Sequence, residues 1–530
     1  MRDGRVLFMV LLAAVVVVAT TTRWIVCGLG LPYLHRWGEP NIAGLSLNMV
    51  KTGELNPHWF NYGSLTIYLH CLVDVFHYLW LSIQPAESMH HVESLDEIRT
   101  QFDSGWRWTI SHPSFYYWNR VVTGLMGTGV VCITFVIGRA IAGRWTGLFA
   151  ACLLAASVYH IEVSTTIRVD VPGSFWTVLV VALSLAYWRR EKSKYVVAAF
   201  VLTGLAAATK YNLVLVGLVP LLALCMSRAK GESAYRPRLW AAAFLLPPLA
   251  FAIAMPYALL DFSTFIEHVR FEMEHYSIRG QGTRTVEAGL PHLMTQLGYL
   301  VDSVGWLPPI LALLGLPRLA ASRQGWLVLL FPLVFVAFMT RTVVAHEHNF
   351  IAVYPFLMIS AACGVSLSHD AISRVTRTPL VPAMAGLFGA ACVALALVSS
   401  TVIWFTPDTR TSAVQTINKL AESEGWERVL IVSQLRMHDE DFLRLDVEAE
   451  RVSIVKLAER AGEFDAIVSP GSFSVTEGKH DEAEYARLSR RAAQWNSFVP
   501  KDNLLNETDG ESIYLGRPAA NPAIVIASTR

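Results

Sequence analysis

Two acidic residues carry the chemistry for which this sequence can first be read. Asp170 lies in Ser164-Thr165-Thr166-Ile167-Arg168-Val169-Asp170-Val171-Pro172, between two long apolar stretches. Glu39 lies in Leu34-His35-Arg36-Trp37-Gly38-Glu39-Pro40, just beyond the first apolar stretch. A carboxylate at the edge of a membrane helix is costly unless solvated, paired or working, so two on one face mark a candidate site. A carboxylate so placed can take the proton of an attacking hydroxyl. For an anion such as phosphate, the candidates are Lys210, Arg341, His346 and His348. His58 and Tyr62 could line a groove beside them. The plainer readings stand next to these. Asp170 with Pro172 suits a helix start, Lys210 and Arg341 can snorkel to headgroups, and aromatic loops also anchor at interfaces. The run His346-Glu347-His348 could hold a divalent cation, but alternate loop residues are a weak ligand pattern, so a metal stays open.

The elements that must position these residues are membrane helices. Of the 530 residues, 53% are hydrophobic and 16% charged, with mean hydropathy +0.41. A soluble domain carries roughly 25% charge, so the balance predicts a multi-span α-helical membrane protein. A net charge of +1 gives no support for nucleic-acid binding. The seven cysteines are scattered in or beside apolar runs without metal-ligand spacing, and their odd number argues against a disulfide framework. The first apolar run, ending at Cys27, is long for a signal peptide and is read as an uncleaved span.

Apolar stretches begin near Val6, Val121, Trp145, Val171, Tyr195, Leu213, Leu239, Leu297, Trp326, Phe350 and Leu380, about eleven transmembrane helices. Every second connection is short and basic: Arg139 with Arg144, Arg189 to Lys194, Arg228 to Arg238, Arg318 with Arg323, and Arg374 with Arg377. That alternation puts the N-terminus in the cytoplasm and the C-terminus outside, in a plasma (inner) membrane. Asp170, Glu39, Lys210 and the segment from Arg341 to Asn349 then share the outer side. The stretch from Leu65 to Ile83, interrupted by His70, Asp74 and His77, is read as an interfacial helix, because counting it as a span would invert every later loop. A transmembrane domain over 1–405, with a first outer loop of about 28–119, precedes a small extracytoplasmic α/β domain over 406–530. In that tail, strands are expected at 429–432, 466–468 and 523–527 and helices at 411–423 and 482–493.

The first-loop motifs His35-Arg36-Trp37-Gly38-Glu39-Pro40 and Lys51-Thr52-Gly53-Glu54-Leu55-Asn56-Pro57-His58-Trp59-Phe60-Asn61-Tyr62 resemble those of bacterial membrane glycosyltransferases. These form the GT-C superfamily, with protein O-mannosyltransferases (glycosyltransferase family 39-like) and lipid A aminoarabinose transferases. Asn119-Arg120-Val121-Val122, Arg168-Val169-Asp170-Val171-Pro172, Gly204 to Asn212, Pro256 to Asp261, and His346-Glu347-His348-Asn349 with Tyr354-Pro355 continue the resemblance in order. It implies a polyprenyl-phosphate sugar donor, a lipid, glycan or protein acceptor, an active site at the outer face of the membrane within the cell envelope, and Glu39 and Asp170 as catalytic acids. The family commonly has Asp-Glu where this chain has Gly38-Glu39. Glu39, or a group elsewhere, must then serve as base. Two other classes stay open: a polytopic lipid or sugar transporter or flippase, and a non-catalytic scaffold of the same fold.

Overall fold

In a bilayer each backbone N–H and C=O must be satisfied within its own segment, so apolar stretches fold as helices. The computed structural model describes residues 2–31, 38–86, 88, 91–98, 112–227, 236–376, 409–435, 437, 439–453, 460–470, 494–498 and 524–528. Ten of the eleven expected stretches fall within them and all are helical; the one near Leu380 lies outside the described residues. The helices are α1 (Arg2–Cys27), α2 (Glu39–Thr52), α3 (Leu65–Ser82), α4 (Pro113–Ala142), α5 (Arg144–Ala155), α6 (Val158–Ser164), α7 (Asp170–Arg190) and α8 (Ser193–Thr209). A 3-10 segment, Tyr211–Gly217, leads to α9 (Leu218–Met226), α10 (Arg236–Ala254), α11 (Tyr257–Leu260) and α12 (Phe262–Glu274). Then come α13 (Leu290–Val304), α14 (Leu307–Ala320), α15 (Arg323–Met339) and α16 (Tyr354–Thr376). Six helices are long and apolar enough to cross a membrane, or eight if the bent pairs α5–α6 and α13–α14 each count as one span. The protein is a multi-pass membrane protein.

Helix α3 is one of the six. Its buried face carries Thr66, His70, Asp74 and His77, whereas Leu72, Phe76, Leu79 and Trp80 are exposed. A helix with polar residues inward and apolar residues outward is built to meet lipid. Asp74 accepts hydrogen bonds from Ser46 (2.5 Å) and Asn119 (2.6 Å), which ties α2 and α4 to α3.

The chain divides into two compact units, one of residues 1–27, 45–81 and 118–397, the other of residues 28–44, 82–117 and 398–530. In the first, α7 packs on α8, α8 on α10, and α14 on α16. The last pair approaches through glycines: a Cβ on Gly315 would lie 1.8 Å from the Ser360 carbonyl, and one on Gly364 2.1 Å from that of Leu311. Small residues let membrane helices close on each other where no hydrophobic force drives them together.

The second unit contains a five-stranded sheet in the order β2-β1-β3-β5-β4, from β1 (Arg428–Val432), β2 (Glu448–Val452), β3 (Ala466–Pro470), β4 (Gln494–Phe498) and β5 (Ile524–Ser528). β1 pairs in parallel with β2 and β3, and β5 runs antiparallel to β3 and β4. Helix α17 (Thr409–Glu424) buries Ala413, Val414, Ile417 and Ala421 in the same core as Val429 and Ile431. The three expected strands and the first expected helix are present. The sequence reading missed β2, whose Glu448, Glu450 and Arg451 break the apolar pattern of an edge strand, and β4. The helix expected at 482–493 lies outside the described residues.

Candidate active site

Helix α7 begins at Asp170, where Pro172 fits the first turn and an acidic side chain complements the helix dipole. It runs 21 residues to Arg189 and Arg190, a length of ~30 Å that separates the acid from the basic end by about a bilayer. At the end of α8 the chain turns extended at Lys210, with φ −150°. Lys210 Nζ lies 2.8 Å from Asp170 Oδ1 and 3.4 Å from Asn349 Oδ1. Arg168 Nε lies 3.3 Å from Asp170 Oδ2. Asp170 is 2% exposed and Lys210 8%, so neither can exchange its partner for bulk water. Two cations on one carboxylate give a buried group with positive charge to spare. Lys210 has three N–H donors, and Asp170 and Asn349 use two.

The imidazoles adjoin this group. Arg168 Nη2 is 2.7 Å from His348 Nε2, and since an arginine only donates, that nitrogen carries the lone pair. The His348 ring stacks on His346 at 4.8 Å. Burial, with Arg168, Arg284 and Lys210 nearby, pushes the His346 imidazole down to about 3, and its Nε2 lies 2.7 Å from Gln281 Oε1. Arg284 donates to Glu347 (2.7 Å) and to the Tyr299 hydroxyl (2.9 Å). A short antiparallel pairing sets this edge: Val286 N donates to Val343 O, Ala345 N to Arg284 O, and Val343 N to Tyr276 O.

A strap over 60–63 forms another wall. Tyr211 Oη donates to the carbonyls of Phe60 (2.8 Å) and Tyr62 (3.1 Å). Gly63 passes so close that a Cβ there would lie 1.9 Å from the Ala208 carbonyl. The strap is fastened to α12 by Phe60 N on His268 Nδ1 (3.0 Å) and by Asn61 Nδ2 on Glu272 Oε1 (2.6 Å). The Tyr62 and Tyr276 side chains adjoin each other. Burial pushes the Tyr62 phenol up to about 12, while Arg168 opposes that shift and Glu272 and Asp170 add to it. Burial likewise raises the Glu272 carboxyl, against the pull of Asn61, His275, His268 and Lys210.

The structure therefore brings together Asp170, Lys210, His346, His348 and Tyr62. Two other sequence candidates lie on the surface. His58 is exposed and pairs with Glu54 (2.6 Å) and Asp261 (3.5 Å). Arg341 is exposed on the turn after α15. Glu39, read from the sequence as a loop acid, is fully buried as the first residue of α2 and belongs to the second unit. Sequence reading missed Arg168, Glu272, Arg284 and Asn349 as site members. Arg168, two residues before Asp170, was the findable one. Among the described residues no group of three His, Cys, Asp or Glu side chains is arranged to hold a metal ion.

The buried carboxylate–cation cluster lies at one end of an apolar helix bundle. The protein has the GT-C glycosyltransferase fold. The solved structure of ArnT from Cupriavidus metallidurans in the apo state matches over 99% of this chain and 98% of its own, at 14% identity and TM-score 0.51. The archaeal oligosaccharyltransferase AglB from Archaeoglobus fulgidus, in complex with an inhibitory peptide and a dolichol-phosphate, matches over 88% of this chain and 70% of its own, at 11% identity and TM-score 0.49. By sequence, the family described as dolichyl-phosphate-mannose-protein mannosyltransferase matches residues 119–259, from α4 to α11. No protein of curated function matches by sequence.

Proposed function

We propose that this protein transfers a sugar from a polyprenyl-phosphate donor to an acceptor hydroxyl at the outer face of the membrane. The observation that carries the reading is the buried Arg168–Asp170–Lys210 cluster at the mouth of a membrane helix. A lipid-linked donor keeps its tail in the bilayer and presents its phosphosugar at this depth. Phosphate charge grows as the glycosyl–phosphate bond breaks, and preorganised cations are worth most where charge develops. Lys210 and Arg168 supply them, Asp170 holds both in place, and His346 and His348 add neutral polar edges. Tyr62 lines the sugar side of the groove. The cytoplasmic N-terminus and outer C-terminal unit belong to the same proposal, with Arg189 and Arg190 at the far end of α7 as its support.

The test is release of polyprenyl phosphate from a panel of polyprenyl-phosphate hexoses and pentoses by the purified full-length protein in liposomes. Lys210→Met should lose turnover by roughly 10²–10³, the cost of removing one charge-stabilising donor. Sugar moved across the liposome membrane without cleavage of the donor would support a transporter instead.

A further inference from the structure

We infer that Glu272 is the group that takes the proton from the acceptor hydroxyl, the role for which Gly38 leaves no first-loop aspartate. The inference rests on the transfer reading above and assigns its base. The other acids near the cluster are engaged. Asp170 faces two cations, Glu347 accepts from Arg284, and Asp261 accepts from Asn56 (2.9 Å). Glu272 is held differently: among the described residues it has no ion-pair partner, whereas Asp170, whose Oδ2 also takes no hydrogen bond, lies between Arg168 and Lys210. Asn61 fixes Oε1 at 2.6 Å, while Oε2 takes no hydrogen bond among the described residues and the side chain is half-buried. One oxygen is oriented and the other is open to a ligand, as a general base requires.

Its neighbours place it at the same site. Its partner Asn61 belongs to the strap whose Phe60 and Tyr62 carbonyls accept from Tyr211, the residue that follows Lys210. The charged and titratable groups facing it are His268 and His275 from its own stretch, Tyr276 from the following turn, Tyr62 from the strap, and Lys210 and Tyr211 from the end of α8. Directly after α12 the chain forms one π-helical turn, His275–Arg279, which turns the Tyr276 carbonyl to Val343 N (2.7 Å). Such turns are frequent at functional sites. Burial raises the Glu272 carboxyl toward the range in which a base works best near neutral pH.

The step balances as follows. The acceptor oxygen forms a bond to the anomeric carbon, and the bond from that carbon to the phosphate oxygen breaks, its electron pair leaving with polyprenyl phosphate beside Lys210 and Arg168. The hydroxyl proton passes to Glu272 Oε2 and then to water. When water replaces the acceptor, the same proton path gives donor hydrolysis.

The experiment compares wild type, Glu272→Gln and Glu272→Asp as full-length protein in liposomes, by donor cleavage across pH and by protection from thermal unfolding with polyprenyl phosphate. Glu272→Gln should lower kcat by ~10²–10⁴ and abolish the acidic limb of the pH profile, with donor KM within a few-fold of wild type. Glu272→Asp should recover part of the rate, and both variants should keep protection by the lipid phosphate. An active wild type beside an unimpaired Glu272→Gln overturns this inference alone, as does a variant that loses protection along with rate. A wild type that cleaves no donor overturns the transfer reading and this inference with it.

Discussion

Lys210 closes on Asp170 from the end of a neighbouring helix, Nζ to Oδ1 2.8 Å, with both side chains buried. Removing one member leaves the other charged and without its partner in a low-dielectric place. Asp170→Asn should therefore destabilise the protein by about 3–5 kcal/mol, the usual cost of breaking a buried pair. Thermal unfolding in detergent should show the loss, and the double variant Asp170→Asn/Lys210→Met should recover part of it. Equal stability of Asp170→Asn and wild type would mean that water reaches the pair.

Gly63 has no room for a methyl group, since its Cβ would meet the Ala208 carbonyl at 1.9 Å. Gly63→Ala should cost about 1–3 kcal/mol and lift the strap that holds Tyr62 and Asn61. Hydrogen exchange should report the change as faster opening at 60–63. Gly53, with open space around it but φ +72°, is a control in which only backbone strain acts.

His346 gives a pH dependence with a definite sign. Its folded value is pushed down from 6.5 to about 3, so between these values the unfolded chain binds the proton and the folded chain does not. Stability then rises with pH across that window and falls on acidification below about 6.5. His346→Gln should flatten the slope of Tm against pH between 4 and 6.5 while leaving Tm at pH 8 close to wild type. An unchanged slope would place the acid sensitivity elsewhere.

Glu39 tests the difference between a positioning acid and a base. It is fully buried at the first position of a 14-residue helix, where a negative charge favours the helix start by about 0.3–1 kcal/mol. Glu39→Gln should lower Tm and turnover together and leave the acidic limb of the pH profile in place. Glu54→Gln, exposed beside His58, serves as the mild control. Loss of that limb in Glu39→Gln at unchanged Tm would return the base to the first loop.

The proposed outer placement of the tail is checked by labelling. A cysteine at Ser423, exposed on α17, in a background with the exposed Cys225 replaced, should react with an impermeant reagent on intact cells. Reaction only after permeabilisation would invert the topology and put Asp170 on the wrong face for an outer donor.

The amino-acid sequence by itself determined the helices and pointed to candidate residues for the site. Runs of apolar residues must be helical in lipid whatever their neighbours, and the basic residues between them order the connections. Asp170, Lys210, His346 and His348 stood out because ionisable groups at membrane boundaries are costly and few. The tail's buried strands were legible for the same reason, while β2 was hidden by its edge charges. Tertiary structure alone decided which polar groups meet. Lys210 reaches Asp170 across 40 positions of sequence, Arg168 reaches His348 across 180, and Asn61 reaches Glu272 across 211. No local pattern records such distances, because a pairing between helices depends on how their ends are stacked. It is the same stacking that turns Glu39 from a loop acid into a buried helix start, leaves Arg341 and His58 in solvent, and brings Glu272 from an ordinary amphipathic helix to the edge of the site.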